Sequence, residues 1–174
     1  MDPARPAGVA PGIRDAAGDD LPAIVAIYNA SIPGRLATAD TSAVSVDDRR
    51  EWFAGFDPAR RPIWVSQDGD RVTGWLGLRS FYGRPAYRRT VELAVYVDPG
   101  YQRRGIARAL LEHAIACAPR LGIATLLAFV FGHNEGSLAL FRRAAFLDWG
   151  RLPRVAELDG VERDVVILGR RLAP

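Results

Sequence analysis

A chain of 174 residues, 49% apolar and 25% charged, has the length and composition of one folded unit with a substantial core; this excludes a disordered or fibrous protein. The net charge of +3 and the absence of a long basic run argue against a nucleic-acid partner, although all 23 cationic side chains are arginine. Cys117 is the only cysteine, so no intrachain disulfide is possible; no stretch approaches a membrane span, and the Ala/Pro/Gly-rich start lacks an apolar signal segment, so a cytoplasmic protein is expected.

In chain order, residues 1–10 are expected to be disordered. Ile13 to Ala16 reads as a short strand. Asp19 or Asp20 is placed to cap a helix reaching about Ala30, with Leu21, Ile24, Val25 and Tyr28 at helical spacing and Pro22 in the first turn. A polar loop, residues 31–44, follows. Ser45 or Asp47 starts a second helix through about Phe56, anchored by Trp52 and Phe53. Ile63 to Gln67 and Arg71 to Ser80 form a hairpin across Asp68, Gly69 and Asp70. After a second loop, residues 81–89, Thr90 to Val97 is a strand. Its Val91, Leu93, Val95 and Val97 alternate with Thr90, Glu92, Ala94 and Tyr96. Asp98, Pro99 and Gly100 end it. A helix runs from Gly105 to about Leu121, with Ile106, Leu110, Leu111 and Ile115 on one stripe. Ile123 to Phe131 is a continuous apolar run, as a strand buried on both faces would be. Asn134 or Ser137 begins a further helix to about Ala144. Leu147 to Glu157 and Val161 to Arg171 make a final hairpin. The sum is an α/β protein with helices on both faces of a mixed sheet.

The junction after Val97 carries the clearest chemistry. A helix beginning at Gly105 presents amides without intrahelical partners and a partial positive charge, which together suit a phosphate group. Gly105 lets an anion approach the backbone, and Gln102, Arg103 and Arg104 add donors. No Gly-Lys-Ser/Thr follows, so this is not an ATP-binding loop. His113, expected on the exposed side of its helix, and His133, in a loop, have no metal-ligand set around them. No metal is expected.

Gln102 to Ala107 resembles the Gln/Arg-x-x-Gly-x-Gly/Ala signature of the GNAT acetyltransferases. The element order is similar to theirs over almost the whole chain, which implies a mixed, mostly antiparallel twisted sheet and a single GNAT domain over residues 11–174. The resemblance implies acetyl-coenzyme A as co-substrate, its pyrophosphate on Gln102, Arg103, Arg104, Gly105, Ile106, Ala107 and Arg108. Backbone amides around Val95, Tyr96 and Val97 would meet the thioester oxyanion. Asn134 to Phe146 is similar to the family's second signature and puts Asn134 and Ser137 beside the coenzyme. Two residues depart from that pattern. Ala145 replaces a glycine, and Phe141 stands where relatives carry a tyrosine or histidine able to protonate the leaving thiolate.

Ile27 to Phe53 resembles the phosphinothricin N-acetyltransferase branch through Tyr28 and Asn29, Ala37, Thr38 and Thr41, then Asp48, Arg49, Trp52 and Phe53. This implies acetylation of a small amino-acid-like amine by a homodimer. Glu92 is then the candidate base: an amine is mostly protonated at neutral pH, and a partly desolvated carboxylate can take its proton. Arg79, Arg84, Arg88 and Tyr87 flank the same strand. One arginine fork is expected to hold an acceptor carboxylate or phosphinate, with Thr38 also at the acceptor. In the last strand Arg163-Asp164 replaces the family's His-Asp pair, which leaves the identity of the amine open. An acetyltransferase for protein N-termini and a non-catalytic acyl-coenzyme-binding module stand as alternatives.

Overall fold

The computed structural model describes residues 12–172; the disorder expected over residues 1–10 falls outside them. The elements are β1 (Gly12–Asp15), α1 (Leu21–Ser31), α2 (Arg50–Ala54), β2 (Ile63–Asp68), β3 (Arg71–Ser80), β4 (Thr90–Val97), α3 (Ile106–Cys117), β5 (Thr125–Phe131), α4 (Glu135–Arg143), β6 (Leu147–Leu158) and β7 (Val161–Arg171). All seven strands join one sheet in the order β1-β2-β3-β4-β5-β7-β6. Only β4 and β5 are parallel. They are joined through the crossover helix α3, as a parallel pair requires, whereas the β2–β3 and β6–β7 hairpins give antiparallel pairs. The mixed, mostly antiparallel sheet expected from the sequence is the one observed.

Period-two alternation sorts side chains to two cores. Leu76, Leu78, Val91, Leu93, Leu126, Ala128 and Val130 pack beneath Ile106, Leu110 and Leu111 of α3 and Leu138 and Phe141 of α4. On the other face Ile24 and Ile27 of α1 meet Ile63, Val65, Val72 and Trp75, with Trp52, Phe53 and Tyr96 at the margin. Glu92, Ala94 and Tyr96 therefore face away from α3. A close approach fixes where α3 starts: a Cβ on Gly74 would stand 3.0 Å from Ile106 Cγ2 and 3.0 Å from the Tyr96 carbonyl. Gly74→Ala is expected to destabilise the fold by about 1–3 kcal/mol through overpacking. Urea unfolding measures it, and an unchanged midpoint would show that α3 can slide.

Two elements and one side chain differ from their expected form. The second helix is a 3-10 turn, Asp47–Arg49, followed by the short α2. Ser45 and Asp48 cap this segment reciprocally, the Asp48 amide donating to Ser45 Oγ (3.1 Å) and the Ser45 amide to Asp48 Oδ2 (3.1 Å). The Phe56 amide reaches only Phe53 O, so the last turn tightens before Asp57 and Pro58. The helix after Gly105 is α-helical to Cys117 and then 3-10 from Ala118 to Leu121, because Pro119 has no amide to continue the ladder. His113 is half-buried rather than exposed. Its ring stands edge-on to Trp64 at 5.0 Å, and burial pushes its pKa down.

Candidate active site

Strands β4 and β5 pair only over Thr90↔Thr125, Val91↔Leu126 and Glu92↔Leu127. Beyond that point β4 stays bonded to β3 as far as Val97, and β5 to β7 as far as Phe131. The two strands diverge, and their facing edges have no strand partner. The wedge between them is a cleft of about 290 Å³. Glu92, Leu93, Ala94, Val95 and Tyr96 form one wall, and Ala128 to Phe131 the other. Leu36 to Ala39 cover it, and Asn134, Ser137 and Phe141 come from the α4 side. Of the expected trio on β4, Val95 and Tyr96 line the cleft. Val97 packs against the core beneath α3 instead.

The turn from β4 into α3 leads to an open helix N-terminus. Asp98 Oδ1 accepts the Gly100 amide (2.8 Å), and Arg71 donates to Asp98 Oδ2 (2.8 Å), which sets the turn. Arg103 (φ 59°) and Gly105 (φ 80°) are both left-handed and bend the backbone tightly around Arg104. Alternating handedness of this kind turns amides toward one point. A Cβ at Gly105 would meet nothing within 4 Å, so the space beside the helix N-terminus is open to an anion. Gln102, Arg103 and Arg104 are exposed, and the Arg104 guanidinium stacks 4.8 Å from the Tyr101 ring. Ile106 is buried in the core and Ala107 half-buried; Arg108 lies along the helix surface, donating to Glu112 at 2.9 Å. An exposed pair of that kind holds Arg108 only weakly.

Glu92 is half-buried where the wedge opens. Burial pushes its carboxyl above the usual carboxylate range; Arg79, directly opposite on β3, pulls part of this back. Desolvation prevails because Arg79 itself is exposed and screened. The arrangement gives a carboxylate with raised proton affinity beside an open backbone edge, which runs on toward the open N-terminus of α3. Arg84, Tyr87 and Arg88 do not join it. They sit on the exposed 81–89 loop, where Tyr87 packs against Phe81 (5.5 Å) and Tyr82 (6.0 Å). No residue of that loop lines the cleft, and the loop is held by Arg61, which donates to Arg88 O at 2.7 Å.

The roof explains the N-terminal motif. Thr38 is buried and lines the cleft, its hydroxyl 2.5 Å from Tyr28 Oη. Tyr28 donates to Asp40 (2.5 Å), as does Arg49 (2.9 Å). The Arg49 guanidinium also lies 4.8 Å from the Tyr28 ring. Burial pushes the Tyr28 hydroxyl up, so it stays a donor at neutral pH. Asn29 bonds the Val44 carbonyl (2.9 Å) and amide (3.0 Å), and Tyr96 donates to Ala37 O (3.2 Å). Tyr28, Asn29, Thr38 and Arg49 thus strap residues 36–44 over the wedge. Asn134 serves the same roof: its Oδ1 accepts the Ser137 amide (3.0 Å) and its Nδ2 donates to Leu36 O (2.9 Å). Phe141 is 3% exposed against Phe146 and has no proton to give. Phe129, Ala156 and Val165 also face the cleft, and nothing in the sequence pattern marked them. Phe129 lies inside an apolar run, and only the divergence of β4 and β5 exposes it, to 38%. Among the described residues no three His, Cys, Asp or Glu side chains cluster as a metal site. No helix of these residues is long and apolar enough to cross a membrane.

Comparison with known proteins gives this geometry a family. YwnH of Bacillus subtilis (strain 168), provisionally named a phosphinothricin acetyltransferase, is 46% identical over 162 residues, 92% of this chain and 99% of that protein. The L-methionine sulfoximine/L-methionine sulfone acetyltransferase of Pseudomonas paraeruginosa is 31% identical over 163 residues, 93% of this chain and 95% of that one. The crystal structure of a GNAT superfamily phosphinothricin acetyltransferase from Sinorhizobium meliloti, in complex with acetyl-coenzyme A, superposes with a TM-score of 0.89 at 28% identity, covering 95% of this chain and 90% of that one. The sequence profile that matches here spans α1 to the end of α4, taking in the roof, the wedge and the anion turn: over residues 23–146 it is that of the acetyltransferase (GNAT) family, to which this chain belongs.

Proposed function

We propose that this acetyltransferase moves the acetyl group of acetyl-coenzyme A to the primary amine of a small amino-acid-like acceptor, of the phosphinothricin or methionine sulfoximine/sulfone type. The observation that carries this reading is the wedge: a desolvated Glu92 at its opening, an unpaired β4 edge along it and an anion turn at its far end. The names of the relatives support the acceptor class. The reading takes residues 11–174 as one catalytic domain, acting as a cytoplasmic homodimer; sedimentation of the purified protein tests the dimer.

In this reading the turn at Arg103 to Gly105 holds the pyrophosphate, and the pantetheine chain lies in the wedge with its carbonyls against the free edge of β4. Glu92 takes a proton from the acceptor ammonium, directly or through one water. The freed amine attacks the thioester carbon, and β4 amides donate to the oxyanion. Collapse breaks the carbon–sulfur bond, and the nitrogen, positive since the attack, passes its second proton to solvent or to the departing thiolate, leaving a neutral amide. Phe141 offers no proton, and none is required: a thiol of pKa about 8.5 leaves acceptably as its thiolate. Thiol release from acetyl-coenzyme A, measured with phosphinothricin, methionine sulfoximine, methionine sulfone and an N-terminal peptide, tests the reading. Turnover with the small amines and none with the peptide is expected. Turnover with the peptide alone, or binding of the coenzyme without turnover on any amine, overturns it.

A further inference from the structure

Two buried side-chain nitrogens have no hydrogen-bond partner among the described residues: Nδ1 of His133 and Nε of Arg163. His133 lies in the turn just after β5, and Arg163 on β7. The β5–β7 register ends with Phe131 paired to Val165, two residues from each. The Gly132 amide, between them, still bonds Asp164 O at 2.8 Å. Alternation along β7 puts Arg163 on the face of Val165, and its partner on β6 is Ala156. Val165 and Ala156 both line the cleft. Arg163 therefore borders the end of the cleft beyond Phe131.

The local carboxylates are committed elsewhere. Asp164 points to the opposite face and accepts from Arg151 Nε (2.7 Å) and the Arg154 amide (2.8 Å). Asp159 is held by Arg35 at 2.8 Å. Arg163 has no ion pair among the described residues. A buried guanidinium N–H without an acceptor is rare, and a half-buried cation bordering a cleft is an anion site by its chemistry. His133 Nε2 faces Arg35 O at 2.8 Å; a carbonyl only accepts, so Nε2 carries the proton and Nδ1 can remain a lone pair. An orphan donor and an orphan acceptor thus lie on the residues that follow the cleft-lining Phe131 and precede the cleft-lining Val165.

Resting on the acceptor class proposed above, we infer that Arg163 is the residue that holds the acceptor's oxyanion, in place of the arginines flanking β4. Arg79 stands beside Glu92 and acts on its charge, and Arg84 lies on an exposed loop that does not line the cleft. Arg163 is two residues before Val165, whose partner Phe131 is four positions past Leu127, the partner of Glu92; this is about 20 Å of strand. The long arginine and glutamate side chains close much of that distance, and the acceptor, amine toward Glu92 and anion toward Arg163, spans the rest. The oxyanion is a carboxylate or a phosphinate, and acceptors that differ in these groups separate the two.

The test compares wild type, Arg163→Gln and Arg163→Lys on phosphinothricin, methionine sulfone and methionine sulfone amide, which carries no anion. Thermal unfolding checks that each variant is folded; the lysine variant, which keeps the stem and charge but loses the fork, serves if the glutamine variant does not fold. Loss of a charge-assisted bond should raise the acceptor KM by about 10- to 100-fold, with the KM for acetyl-coenzyme A and for the amide unchanged. A rise for phosphinothricin alone assigns the bond to the phosphinate; a rise for both anionic acceptors assigns it to the α-carboxylate. An unchanged KM for both in a folded variant, or an equal rise for the amide, overturns the inference. If the wild type turns over none of the three, the acceptor class itself fails and this inference with it.

Discussion

Replacing Glu92 by Gln is expected to lower kcat at pH 7 by about 10²–10⁴-fold, the usual range for a lost general base, while the melting temperature holds or rises. The stability half of this follows from the sign of the pKa shift. Burial raises the carboxyl in the folded protein above its unfolded value. Between those two pKa values the folded state binds more protons than the unfolded one, so stability falls as pH climbs through that window. Above the folded pKa the desolvated carboxylate remains a standing cost, which glutamine removes. Arg79 loses a favourable neighbour in the variant, but its contribution is the smaller of the two. The melting temperature of Glu92→Gln relative to wild type should therefore improve from about pH 4 toward neutrality and then level off. The loss in kcat should shrink toward alkaline pH, where more of the acceptor amine is already deprotonated. Steady-state kinetics and thermal unfolding from pH 4 to 9.5 decide it. A glutamate kept for structure gives the opposite pattern, a lower melting temperature with kcat intact, and that result would remove the base from the mechanism.

The reach of the sequence can be read from β4. Its strict alternation located the strand and put Glu92 on the face opposite Val91 and Leu93, because one buried face leaves only one register. Both core-facing helices were legible from their apolar stripes. The wedge was not derivable from periodicity. Divergence of β4 from β5 is a matter of which backbone bonds stop after Glu92, and the side chains on either side, Leu93 and Ala128, belong to the same core before and after the break. For the same reason Phe129 reads as an ordinary buried residue. The 81–89 loop shows a different limit. Its arginines and Tyr87 have the right chemistry for an acceptor and stand next to β4 in sequence, but the loop's path is set by Arg61, far away in the chain. The helical pattern alone puts His113 toward solvent, because Trp64, which covers it, comes from β2, far away in the chain. Ala145 is legible once the turn is known: it takes φ 59° where glycine would be unstrained, and the Ala144 carbonyl beside it is tied down by Arg170.

The largest effect on the coenzyme is expected from placing a negative charge at Gly105. A valine there would be a poor test, since a β-branched residue at φ 80° is strained whatever binds beside it. Asparagine and aspartate visit the left-handed region readily, and a Cβ at this position meets no neighbour within 4 Å. Gly105→Asn and Gly105→Asp should therefore both fold, with stability within about 1 kcal/mol of wild type. They are nearly isosteric and differ in charge. If the pyrophosphate sits at the N-terminus of α3, asparagine obstructs it while aspartate also repels it. One unit charge about 4 Å from another at the partly screened dielectric of a protein surface is worth several kcal/mol, so the KM for acetyl-coenzyme A should rise roughly 100-fold or more in the aspartate variant, well beyond the asparagine variant. The acceptor KM should change little in either, because Glu92 lies where β4 and β5 are still paired, toward the other end of β4 from this turn. Added salt supplies the deciding control. At 0.5 M or so the Debye length shrinks to a few ångströms, so the excess defect of aspartate over asparagine should narrow while the steric part persists. Equal KM values for the two variants at every salt concentration would mean that no phosphate approaches Gly105, and the turn would lose its assignment as the coenzyme anchor.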